Sequence, residues 1–176
     1  RDRLLDAARR MPYLKPVREA IEAIHTKNAN HKHVGRTMTE QMIVSDGNTL
    51  FIGAFLDHHR LRNYFTQIIS NLGEWHPPPP NDDTSDKLPR GQLIVTHQSQ
   101  QYGGHTCDRC PSNLCKTQAL QHTLLQKNGT AARKRPRIVY IGDGANDACP
   151  AFHVLQKGDV LLARVGTKRD YANERQ

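Results

Sequence analysis

Long apolar runs are missing from this chain of 176 residues. No stretch nears the roughly 18 consecutive apolar residues that a membrane span needs, so a soluble chain is expected. Arg1 to Arg10 holds four arginines and no apolar block. No secretory signal is read there, and a cytoplasmic setting is the expectation. Cysteine is scarce too: four residues are too few for a disulfide-dense secreted scaffold. There is no internal repeat, so the fold is not expected to stack copies of one unit. The first residue is Arg and not Met, and the chain is expected to be trimmed or a piece of something longer.

What is present suffices for about one domain with one core, since 36% of the residues are hydrophobic. Lys and Arg number 25 against 17 Asp and Glu, a net charge of +8 that attracts phosphates of any kind. Much of the surplus lies in Lys27–Arg36 and in Arg133-Lys134-Arg135, which read first as solvated basic loops. A zinc- or thiol-containing basic nucleic-acid-binding module, built on these runs and on the cysteines at 107, 110 and 115, is the alternative. Against it, the aromatic residues do not interleave with the basic ones as a stacking platform requires.

Strand and helix patterns alternate along the chain. Residues 2–10 and 16–25 read as helices, the second with Val17, Ile21 and Ile24 on one face. Asn28 to Glu40 interrupts the pattern as a loop or insertion. Met42-Ile43-Val44 suits a buried strand, ending in the polar Ser45-Asp46-Gly47-Asn48-Thr49 before a helix through Leu50, Phe51, Ala54, Phe55 and Leu56. Tyr64 to Ile69 reads as a second strand, and His76 to Asp83 as an extended proline-rich linker. Leu93-Ile94-Val95 suits one strand of a small hairpin. Lys116 to Gln126 reads as a helix, Ile138 to Ile141 as a strand, and a further helix runs through Phe152, Val154 and Leu155. Asp159 to Ala163 reads as a buried strand. The expectation is an α/β fold with a parallel sheet.

Three places carry chemistry. The strand at 138–141 runs into Gly142-Asp143-Gly144-Ala145-Asn146-Asp147, where ligands sit in open α/β sheets. A dinucleotide fingerprint needs glycine where Asp147 stands, and an EF-hand needs alternate ligands and a terminal Glu, so both fail. Two carboxylates at a strand end suit Mg²⁺, with Asp143 and Asp147 as the candidate ligands. Ser45, at another strand end, has a hydroxyl fit for a phosphoryl oxygen. Lys116, at a helix start, can offset the charge of a transferred phosphoryl group. Each of the last two alone is an ordinary turn or surface residue.

In that order, Ser45, Lys116 and Gly142-Asp143-Gly144-Ala145-Asn146-Asp147 resemble motifs two, three and four of the haloacid dehalogenase superfamily of phosphotransferases. Residues 43–49, 105–116 and 140–150 resemble one branch of it, which holds the phosphoethanolamine/phosphocholine phosphatases and their pyridoxal phosphate phosphatase relatives. The cysteine segment, His105-Thr106-Cys107-Asp108-Arg109-Cys110-Pro111-Ser112-Asn113-Leu114-Cys115-Lys116, is its most particular marker. The resemblance implies a Rossmannoid parallel sheet flanked by helices over residues 11–170, with insertions at 28–40 and 76–103. Residues 1–10 would be a remnant of a helical cap. It also implies a Mg²⁺-dependent phosphomonoester hydrolase acting on a small phosphate ester, with phosphocholine, phosphoethanolamine or pyridoxal phosphate as candidates. Ser45 and Lys116 would be catalytic, and Asp46 and Asn48 would face the substrate. A negative Asp46 would favour a cationic head group.

The superfamily's Asp-x-Asp motif, which supplies nucleophile and acid/base on the central first strand, does not occur in the sequence. Asp82-Asp83 lies in the proline-rich linker with no strand before it. The expected sheet therefore lacks its central strand, and the chain by itself is expected to be inactive. The cysteine cluster stands apart: His105, Cys107, Cys110 and Cys115 offer three sulfurs and a nitrogen for tetrahedral Zn²⁺, against free or redox-active thiols. Cys149 reads as a small buried hydrophobe.

Overall fold

A computed structural model of the chain describes residues 1–31, 38–77, 91–127 and 135–164. The chain divides into two compact units, Arg1–Gln101 and Tyr102–Gln176. The first holds α1 (Asp2–Arg9), α2 (Lys15–His31), β1 (Met42–Asn48), α3 (Thr49–His58), β2 (Gln67–His76) and β3 (Gln92–Thr96). The second holds α4 (Lys116–Lys127), β4 (Val139–Gly142), α5 (Ala148–His153) and β5 (Val160–Ala163). The architecture is α/β.

In the first unit β1 runs parallel to β2, placing Ile43 beside Ile68 and Val44 beside Ile69. β3 joins antiparallel, with Leu93 opposite Trp75. The expected hairpin strand at 93–95 is therefore there, and it makes this sheet mixed and not purely parallel. The intervening residues 78–90, with Asp82-Asp83, lie outside the described residues. α1 packs on α3, burying Leu5 and Ala8. His59 Nε2 meets the Arg9 carbonyl at 3.0 Å, and Tyr13 stands edge-on to Phe55. These contacts tie the N-terminal helix to the unit's core.

In the second unit β4 and β5 are parallel over their whole length, from Val139 beside Val160 to Gly142 beside Ala163. Leu114, Ala119, Leu120, Tyr140, Cys149 and Val154 are buried around them. Arg135, the described end of the basic run, is not a solvated loop residue. Its guanidinium donates to both carboxylate oxygens of Asp159, at 3.2 and 2.7 Å, and to the Val154 carbonyl. Asp159 also accepts from the Ile138 and Gln156 amides. One fork thus joins the start of β4 to the turn before β5. Residues 133 and 134 and residues 32–36 of the other basic stretch lie outside the described set.

Several boundaries differ from the sequence reading. α2 continues to His31, through the first residues of the expected 28–40 insertion. Arg62–Tyr64 is a 3₁₀ turn, and β2 begins only at Gln67 but extends to His76. Its buried positions Ser70 and Asn71 are polar, so the apolar alternation that marks a strand breaks off at Ile69. The strand at 159–163 is not buried: Leu161 and Leu162 are 45% and 50% exposed, and Ile141 of β4 is 74% exposed. β5 has β4 as its one partner among the described residues, so most of its apolar surface lacks a neighbour to pack on. No helix among the described residues is long and apolar enough to cross a membrane.

Candidate functional site

The turn after β4 is organised around Asp147. Its Oδ1 accepts from Lys116 Nζ at 2.6 Å and from the Tyr140 hydroxyl at 2.5 Å. Its Oδ2 accepts from the Asp143 and Gly144 amides at 3.1 and 2.9 Å. Four donors fill a carboxylate's acceptor sites. Gly142 is required here, because a Cβ would lie 2.5 Å from the Asp147 Cβ. Burial by itself favours the neutral acid, but the bonds from Lys116, Tyr140 and Gly144 outweigh it and hold the Asp147 carboxyl below its usual range. Burial, and then the bond to Asp147, push the Tyr140 phenol well above its usual range, so it remains a donor.

Lys116, the first residue of α4, is 7% exposed. A buried ammonium is tolerated because Asp147 neutralises it directly. Asp143 differs from its neighbour: its side chain is exposed at the strand's end. Of the two candidate magnesium ligands, Asp143 is open to solvent and Asp147 is engaged in holding Lys116 and the turn. An exposed carboxylate suits Mg²⁺, which takes one or two carboxylates and completes its shell with water and phosphate oxygens.

In the first unit, β1 takes four residue steps between Val44 and Asn48 where β2 takes two between Ile69 and Asn71. The excess forms a bulge that contains Ser45, Asp46 and Gly47. Ser45 Oγ accepts from the Gly47 amide at 3.1 Å, and the Asp46 side chain is exposed. Asn71, fully buried, donates from Nδ2 to the Asp46 and Gly47 carbonyls, each at 2.8 Å, and accepts from the Gln98 amide. Asn48 is buried, and its Oδ1 caps α3 by accepting from the Phe51 amide at 3.0 Å. That oxygen is thereby committed to the helix.

The cysteine segment departs from its expected ligand set. Four sulfurs, from Cys107, Cys110, Cys115 and Cys149, lie within 4.8 Å of one another and together could hold a metal ion. His105 is outside the group: its Nε2 faces the Pro111 carbonyl at 3.0 Å, and its Nδ1 accepts from the Cys107 amide. With both ring nitrogens of His105 engaged on backbone, Cys149 stands in its place among the side chains that could hold an ion.

The family model described as "Putative Phosphatase" matches residues 2–174. The chain belongs to that family. It is the haloacid dehalogenase branch that the three motifs resemble. "Probable phosphatase phospho2" of Xenopus tropicalis is 35% identical over 129 residues, 73% of this chain and 47% of that protein. "Pyridoxal phosphate phosphatase PHOSPHO2" of Mus musculus is 36% identical over 125 residues, 71% of this chain and 44% of that protein. "Thiamine phosphate phosphatase-like protein" of Arabidopsis thaliana is 29% identical over 163 residues, 93% of this chain and 57% of that protein. The chain spans about half the length of these curated relatives. No solved structure matches it. The nucleic-acid-binding alternative gains no support from a family of phosphatases.

Tyr140, Asn71 and Cys149 are the residues that sequence reasoning missed as parts of these arrangements. Tyr140 sits within an apolar strand run and reads as core. Asn71 falls where the strand pattern had already faded, and a polar residue at a buried strand position was the available signal.

Proposed function

We propose that the intact protein is a magnesium-dependent phosphomonoester hydrolase of haloacid dehalogenase type. These residues would supply its phosphate- and metal-handling groups but not its nucleophile. The buried Lys116–Asp147 pair beside the exposed Asp143 carries the reading. That pairing fixes the ammonium in place, and fixed charges at a dry site need little reorganisation during reaction.

On this reading Asp143 would hold Mg²⁺, with Asp147 orienting the turn and Lys116. Magnesium, when bound, would polarise the phosphoryl oxygens. Ser45 would take a phosphoryl oxygen, presented by the bulge that Asn71 secures. Asp46 would face the leaving group, with Asn48 supporting the loop from its helix cap. The nucleophile would be an Asp on a strand absent from these residues, forming an aspartyl-phosphate that water hydrolyses. Two observations fit a missing central strand: β1 and β4 each have one hydrogen-bonded neighbour among the described residues, and Ile141 is exposed. α1 would close a helical cap. A relative named as a pyridoxal phosphate phosphatase favours that substrate, and a carboxylate side chain at Asp46 favours phosphocholine or phosphoethanolamine.

The test is a gene product that also carries an apolar strand ending in Asp-x-Asp. It should hydrolyse p-nitrophenyl phosphate with added Mg²⁺ and lose that activity on Asp143→Asn. Asp46→Asn should lower kcat/KM for phosphocholine by about tenfold to a hundredfold while leaving p-nitrophenyl phosphate nearly unchanged. Equal losses on both would make Asp46 a loop residue. Activity indifferent to chelators and to Asp143→Asn would overturn the magnesium assignment.

A further inference from the structure

The four cysteines are brought together from three places in the second unit. Cys107 and Cys110 come from the irregular segment before α4, Cys115 immediately precedes Lys116, and Cys149 lies in the first turn of α5. Cys115 and Cys149 are 5% and 1% exposed. The Cys149 sulfur is 3.4 Å from that of Cys107 and 4.0 Å from that of Cys115. Zinc–sulfur bonds of about 2.3 Å in a tetrahedron place sulfurs about 3.8 Å apart, so these separations match its edges.

The Thr117 hydroxyl is 2.9 Å from the Cys149 sulfur. Donors directed at ligand sulfurs are the outer shell that metal–thiolate sites use to spread their charge. Disulfides would join these sulfurs in pairs at about 2 Å. A single cluster in which every sulfur is within reach of the other three is the arrangement one shared ion requires.

We propose that Cys107, Cys110, Cys115 and Cys149 form a structural tetrathiolate site for zinc. It is separate from the phosphate chemistry and does not depend on it. Cys115 is the neighbour of Lys116 and Cys149 follows Asp147 by two residues, so one ion would tie the start of α4 to the turn that holds the Lys116 partner. It fastens a unit whose strands are only four residues long.

Metal analysis of the 176-residue chain, purified under reducing conditions without chelator, should find about one zinc per chain. Replacement by Co²⁺ should give the intense visible bands of a tetrahedral sulfur site, which reports the ligands without any substitution. Cys149→Ser should lower bound zinc at least tenfold. His105→Ala and Asp143→Asn should retain it. Four free thiols without metal, or an intramolecular disulfide, would overturn the proposal. So would zinc that survives Cys149→Ser but leaves with His105→Ala. Zinc lost with Asp143→Asn would belong to the phosphate site and overturn it too, whereas failure of phosphatase activity would leave it standing.

Discussion

At the scale of single residues, Asp147 decides the most. Removing its ammonium partner leaves a buried carboxylate without its counter-charge, which is far worse than removing both. Lys116→Met should therefore destabilise the second unit by about 3 kcal/mol, and Lys116→Met with Asp147→Asn by clearly less than the sum of the single changes. A double-mutant cycle read by urea denaturation checks this; simple additivity would mean the pair is not coupled. That Lys116 starts a helix and that Asp143 and Asp147 follow a strand was legible in the sequence; Ser45, expected at a strand's end, lies inside β1, which runs on to Asn48. The partners that fix these residues were not legible. Lys116 meets Asp147 across 31 positions and Cys107 meets Cys149 across 42, and no local periodicity encodes a contact at that separation.

Among the elements, short strands depend on the fastenings at their ends. β4 and β5 are each four residues long and are joined at one end by the Arg135–Asp159 fork. The Arg135 bonds, and then the Ile138 and Gln156 amides, hold the Asp159 carboxyl well below its usual range despite its burial. A depressed carboxyl stabilises the folded state above its unfolded pKa of about 3.9, and that contribution is lost as pH falls below it. Asp159→Asn should thus cost about 2–3 kcal/mol at neutral pH, and the variant should lose less stability than the parent between about pH 5 and pH 2. Urea midpoints of both proteins across that range test it; parallel curves would remove Asp159 from the acid response. The sequence showed where most helices and strands lie. It did not show the β1 bulge or the continuation of β2, since buried Asn71 serves the loop beside it and breaks the apolar alternation.

For the whole molecule, the chain combines an α/β architecture and a phosphatase family's motifs with two separate small sheets and exposed apolar strand residues. Every group expected to bind phosphate or magnesium is present, and the group expected to attack phosphorus is not. Binding and electrostatics without a nucleophile forfeit the covalent route. The most direct test is p-nitrophenyl phosphate hydrolysis by the pure 176-residue chain with saturating Mg²⁺. The rate should be indistinguishable from buffer and unchanged by Asp143→Asn; robust turnover that Asp143→Asn abolishes would show that these residues contain a nucleophile after all, and would contradict the account.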